Sequence, residues 1–230
     1  MKRLGYLTFL LILFLVPSGC KTSEGVSTTQ TPSLSMREPI DYLKVGNELL
    51  AKGRLSDAED VFRKAVTYEP DNPVFQIRLA LALILQHKYR EADSLIGAVL
   101  ARAPQDLGAL WYRSFSRFEE GRYNEAIDGF RELLPRFKPD QPQFPTANWL
   151  IATSYRRRLP EDGLSFAEVV LMVQHYELYL TTAGSSAEDR EQIQQFLEWV
   201  NKERPPSNVK RWVVVPSEED ILKFLQKNPD

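Results

Sequence analysis

Small and bulky apolar side chains recur at one interval through the middle of this chain. Ala58, Ala92 and Ala126 stand 34 residues apart, and each closes a similar hexapeptide: Gly53-Arg54-Leu55-Ser56-Asp57-Ala58, His87-Lys88-Tyr89-Arg90-Glu91-Ala92 and Gly121-Arg122-Tyr123-Asn124-Glu125-Ala126. Four residues after each alanine comes a large side chain (Phe62, Ile96, Phe130), and three further on another apolar one (Ala65, Val99, Leu133). Twelve before each alanine is a small residue, Gly46, Ala80 or Ser114. Spacings of three and four belong to one face of a helix, and a long fixed period marks stacked supersecondary units. Each period therefore predicts two helices joined by a short turn. The small residues at 46/58, 80/92 and 114/126 let paired helices approach closely, and Phe62, Ile96 and Phe130 fill the space between repeats.

The punctuation agrees with the period. Gly53 and Gly121 suit the left-handed position that ends a first helix. Ser56 with Glu59 three residues later reads as a capping box for the second helix. Pro70 and Pro104 close the first two periods, and Pro139 closes the third one residue late. This pattern resembles the tetratricopeptide repeat, with repeats at about 39–72, 73–106 and 107–140. The resemblance implies an all-α fold, an α-solenoid of helix–turn–helix repeats spanning 39–203.

Beyond the third repeat the pattern loosens. Trp149, Ile151, Ala152 and Tyr155 match a first helix, and Tyr176, Tyr179 and Leu180 a second, so 145–183 reads as a degenerate repeat with an insertion around Leu159–Gly163. A further helix is expected over 186–203, starting at Ser186 and burying Ile193, Phe196, Leu197 and Val200. The tail, 204–230, breaks at Pro205-Pro206. It then predicts a short strand at Arg211–Val215 and a capped helix from Ser217 through Leu225.

The N-terminus has a different character. Lys2 and Arg3 precede an apolar stretch, Leu4 to Val16, that is short for a bilayer span and is followed by Pro17, Ser18, Gly19 and Cys20. That is a secretory signal pattern over 1–19. The sole cysteine, after a small pair, resembles the bacterial lipobox, although Pro17 stands where the pattern has Leu or Val. The resemblance implies acylation of Cys20, with palmitate-type chains on a mature N-terminus. Lys21, rather than Asp, implies the outer membrane, with the body facing the periplasm. Residues 20–38 are rich in Ser, Thr, Gly and Pro and predict a flexible tether reaching roughly 25 Å.

Composition narrows the chemistry. Lys and Arg number 29 against 31 Asp and Glu, so no basic field for nucleic acid exists. Removal of the leader takes only Lys2 and Arg3, leaving 27 basic residues against 31 acidic ones, a charge of −4. Two histidines, His87 and His175, and one cysteine are too few for a zinc or redox centre, so no metal, cofactor or small-molecule substrate is expected. His87 falls in an expected turn and His175 inside a helix, which suits surface or packing roles. Adjacent acidic pairs such as Glu119/Glu120, Glu161/Asp162 and Glu218/Glu219 read as solvated. The chain is expected not to be an enzyme.

In stacked helical pairs the first helices line a concave surface that binds partners. The family resemblance places Leu43, Asn47, Ile77, Leu81, Ile84, Trp111, Phe115, Phe118, Trp149, Thr153 and Arg156 along that groove, with Arg113 and Arg117 at its edge. Asn47 matches a carboxylate-clamp position, but Leu43 and Leu81 stand where the clamp needs polar groups. An amphipathic helix or apolar strand is the expected ligand. Alternatively, these aromatics are buried by the solenoid itself or by the tail helix at 217–226 folding back. Two roles follow: an envelope scaffold that binds other envelope proteins to build or localise a machine for outer-membrane assembly, pili or secretion, or a self-associating structural lipoprotein. A lesser alternative is an accessory part of a cell-wall or polysaccharide enzyme complex.

Overall fold

A computed structural model describes residues 39–184 and 189–214. Cys20, where acylation is expected, the expected tether, Ser186, Val215 and the helix expected at 217–225 lie outside the described residues. Nine α-helices occur among those described: α1 Pro39–Ala51, α2 Leu55–Tyr68, α3 Pro73–Leu85, α4 Tyr89–Arg102, α5 Leu107–Glu119, α6 Tyr123–Leu133, α7 Gln143–Arg158, α8 Phe166–Thr182 and α9 Arg190–Glu203. A 3₁₀ turn, Leu134–Arg136, extends α6. The fold is all-α, and the first three expected repeats each contain two helices. Two compact units emerge, one ending at Glu119 and the other starting at Glu120, so the division falls between the two helices of the third repeat.

In the first unit, the hexapeptides do form the turns. Gly53 has φ of 70° and His87 of 62°, with Arg54 N–H bonding to Leu49 O at 2.9 Å and Lys88 N–H to Leu83 O at 2.9 Å. These bonds use carbonyls that the ending helix leaves without internal partners. Helix α3 starts on a stronger cap: Asn72 Oδ1 accepts from Val74 N–H at 3.0 Å, with Pro73 at the first helical position.

Two local expectations are corrected here. Ser56 does not cap α2, whose N-cap is Arg54 with no side-chain cap bond. Glu59 is drawn elsewhere, because Gln86 and Lys88 from the next repeat each reach its Oε2 at 2.7 Å. Three donors, including Arg63 of the same helix, outweigh a single backbone N–H. Phe62 is fully buried, but its ring presses on Gly46 inside its own repeat, so tightly that a Cβ at 46 would overlap it.

Helix α3 is the centre of this unit. It packs against α1, α2, α4 and α5, and every residue from Phe75 to Ile84 is buried. A helix apolar on all sides has to be enclosed, and PVFQIRLALALIL is such a helix.

In the second unit, α6 packs on α7 and α7 on α8. The degenerate repeat takes up its extra residues partly as length: α7 has 16 residues and α8 has 17, against 13 and 14 in the first two repeats. The rest is the link 159–165, which turns at Gly163 with φ of 67°. It ends in a complete capping box, Ser165 with Glu168. Helix α9 buries Ile193, Leu197 and Val200.

The expected strand at 211–215 is replaced, over its described residues, by a single antiparallel bridge between Trp212 and Leu164. Its two N–H to O distances are 2.7 and 2.8 Å. The partner chain is extended for too short a stretch to make a ladder, since Gly163 turns on one side of Leu164 and Ser165 begins α8 on the other. Val214 N–H adds a bond to Leu159 O at 3.2 Å, and Arg211 Nη1 donates to the carbonyls of Asp162 and Gly163. Residues 211–214 thus form a strap over the link.

Candidate partner-binding surface

The first unit sets its first helices side by side, with α3 between α1 and α5. Carboxylates on the second helices hold this stack from behind. Glu59 on α2 takes Gln86 and Lys88, and 34 residues on, Asp93 on α4 takes Arg117 of α5 at 2.6 Å. Arg102 Nη2 on α4 reaches back to Gln76 Oε1 on α3 at 2.6 Å. Burial works to raise the Glu59 carboxyl. Hydrogen bonds from Lys88, Arg63 and Gln86 more than offset that and hold it below the usual carboxylate range.

Along the inner positions the structure separates residues that were expected to act together. Ile77, Leu81 and Ile84 on α3 and Trp111, Phe115 and Phe118 on α5 are all buried, none more than 8% exposed. They are core, with Phe115 and Phe118 stacked at 6.3 Å between centroids. Leu43 and Asn47 on α1 keep partial exposure. The Asn47 side-chain oxygen is sheltered from water and has no hydrogen-bond partner among the described residues. Sheltering such an acceptor without a partner costs about 1–3 kcal/mol. Arg113 is exposed, and Arg117 is engaged by Asp93.

In the second unit the corresponding positions on α7 carry their own cover. Trp149 Nε1 donates to Asp189 Oδ2 at 2.6 Å, and Tyr179 OH donates to Asp189 Oδ1 at 2.7 Å. The Thr153 and Tyr176 hydroxyls lie 3.2 Å apart. The Arg156 guanidinium, itself exposed, sits 4.2 Å from the centre of the Phe196 ring. Residues of α9 and the turn before it therefore occupy this face. The sequence reading missed this use of Asp189 and Phe196. The available signal was the aromatic pair Phe196 and Trp199, three apart on an otherwise amphipathic helix.

The histidines play local parts. His87 Nδ1 lies 2.6 Å from Tyr89 OH in the turn. His175 is buried with Nδ1 2.7 Å from Asn148 Oδ1. Asn148 Nδ2 already donates to Phe144 O at 2.9 Å, which leaves its oxygen to accept from His175. Burial first, and then Arg131, push the His175 pKa down to about 4. Among the described residues no cluster of three or more His, Cys, Asp or Glu is placed to hold a metal ion.

Residues 49–112 match the tetratricopeptide repeat family. The chain is similar to DnaJ homolog subfamily C member 3 of Mus musculus, 28% identical over 123 residues, which cover 54% of this chain and 24% of that protein. The same protein of Homo sapiens is 27% identical over 124 residues, covering 54% and 25%. The chain thus spans about a quarter of the length of these relatives. Repeats of this kind form protein–protein interaction scaffolds and are typically not catalytic.

Proposed function

We propose that this chain is a non-enzymatic scaffold, lipid-anchored through Cys20 to the bacterial outer membrane and facing the periplasm. There it binds other envelope proteins and so assembles or localises a machine for outer-membrane assembly, pili or secretion. The observation that carries the binding role is the side-by-side placement of α1, α3 and α5, along which Leu43 and Asn47 on α1 remain partly exposed. An apolar side chain one helical turn from a partly exposed amide residue suits the apolar face and polar flank of a partner helix or strand. The anchoring half rests on the sequence alone: the leader, its short apolar core, and the sole cysteine after Ser18-Gly19. Among the described residues no helix is long and apolar enough to cross a membrane.

Two measurements address the halves separately. Cys20→Ser should move the protein from the washed membrane fraction to the soluble one, and an unchanged membrane fraction would reject lipid anchoring. Cross-linking in intact envelopes, followed by identification of captured proteins, should return the same envelope components from wild type repeatedly. It should return them in clearly lower yield from Leu43→Asp. Equal yields from the two would remove this surface from the binding role.

A further inference from the structure

The second unit ends in a row of aromatic rings that continues onto the strap. Tyr176 meets Phe196 edge-on at 6.0 Å, Phe196 stacks on Trp199 at 5.9 Å, and Trp199 stacks on Trp212 at 5.4 Å with the planes 19° apart. The inner end of this row is buried and the outer part is partly open: Trp199 is 37% and Val213 47% exposed, and Trp212 is half-buried. In the segments that carry Trp199 and Trp212, Lys202, Arg204, Lys210 and Arg211 are exposed, and so are Glu198 and Glu203; Lys202 pairs with Glu203 at 3.7 Å, and Arg204 lies 6.0 Å from the Phe166 ring. Strap and row are held in one place by the Leu164–Trp212 bridge and the Val214 bond to Leu159, and Gly163 is required there. A Cβ at 163 would meet Val213 Cγ2 at 2.6 Å and Trp212 O at 2.9 Å. The chain therefore leaves the described residues at Val214 from a fixed point, beside an apolar patch whose flanking segments carry four exposed cations and two exposed carboxylates.

Three residues later the sequence supplies the complement. Ser217-Glu218-Glu219-Asp220 is acidic at the start of a helical pattern, and Ile221, Leu222, Phe224 and Leu225 make its apolar face. A helix of this length is not stable in water without a surface to pack on. Three extended residues from Val214 reach about 10 Å, enough to bring Ser217 over the patch and no further. We propose that residues 217–225 dock in cis on the Trp199–Trp212–Val213 surface, with the acidic turn against Lys202, Arg204 and Lys210 and the apolar face over the exposed rings. This does not depend on membrane anchoring or on the α1 surface. It also gives the patch a defined recognition chemistry, an acidic turn followed by an apolar helix face, which an external partner would have to match to displace the tail.

Hydrogen–deuterium exchange on the full chain tests it. The amides of 220–226 should exchange at least about tenfold more slowly than unstructured chain. The pair Ile221→Asp with Leu222→Asp should return them to the unstructured rate while the amides of α9 keep their protection. Trp199→Ser should do the same, with the amides around Ile193 and Leu197 reporting that α9 is still folded. Wild-type tail amides exchanging at the unstructured rate would overturn the proposal, as would protection indifferent to both sets of substitutions. Protection that disappears on dilution would assign the docked helix to a second copy and equally overturn docking in cis.

Discussion

At Gly46 the absence of a Cβ is what lets α1 lie against the Phe62 ring. Gly46→Ala would gain up to about 1 kcal/mol in helix propensity. It would also force the ring or the helix aside inside a closed core, at about 1–3 kcal/mol. The overlap involves a fully buried ring with no room to turn, so packing wins. Urea unfolding should show a net loss of roughly 1–2 kcal/mol. The opposite sign is expected at His87, the one non-glycine residue with positive φ among the described residues. The same turn position is filled by Gly53 and Gly121, and a side chain there costs about 1–2 kcal/mol. His87→Gly gives up the contact with Tyr89 OH, which at an exposed site contributes about 0.5 kcal/mol. The midpoint in urea should rise, and a fall would mean that the Tyr89 contact dominates the turn.

Between elements, the polar connections matter more than their number suggests, because each ties one helix to the next. Glu59 is 6% exposed and joins α2 to Gln86 and Lys88 at the end of the following helix. Its folded-state pKa lies below the ordinary value, so its contribution is complete above about pH 4.5 and is lost as pH falls through the folded value. Glu59→Ala should cost about 1–3 kcal/mol at neutral pH, by leaving Lys88 and Gln86 without their acceptor, and should flatten the acid limb of the stability curve. His175 acts in a higher window. Its folded pKa, about 4, lies below its ordinary 6.5, so the unfolded chain takes up the proton first. The His175 contribution should therefore decline as pH drops from about 6.5 towards 4 and level off below that, by roughly 2–3 kcal/mol in all. His175→Gln should remove that slope, which chemical denaturation at pH 7, 6, 5 and 4 would read directly.

For the molecule as a binder, burial decides which substitutions inform about partners. Leu81 is 1% exposed in the all-buried α3, so Leu81→Asp should unfold the first unit and abolish every interaction indirectly. Leu43 is half-buried and packs on the core cluster of Tyr42, Val61, Ala65 and Phe75, so Leu43→Asp should lower the circular dichroism melting temperature yet leave the first unit folded. Capture of partners should drop in both variants, but only the second result would locate the surface. If Leu43→Asp melted as early as Leu81→Asp, the α1 positions would be core as well.

The 34-residue period, its turn glycines and its small-against-bulky positions were enough to place six helices in three successive repeats and to find Ala58, Ala92, Ala126, Phe62, Ile96 and Phe130 in the interior. Those features are local, since a helix face or a left-handed turn is written within a few residues of itself. Which inner positions stay open was not legible. Ile77 and Leu43 look alike in sequence, yet one lies on a helix that packs against four others and the other on a helix that meets two among the described residues. Likewise Ser56–Glu59 and Ser165–Glu168 have the same spacing. Only the second forms a cap, because at Glu59 donors 27 and 29 residues away compete for the carboxylate. The sequence by itself determined the helical elements and their repeat. The tertiary structure alone decided which of their faces remain available, because burial is a property of what a distant part of the chain brings alongside.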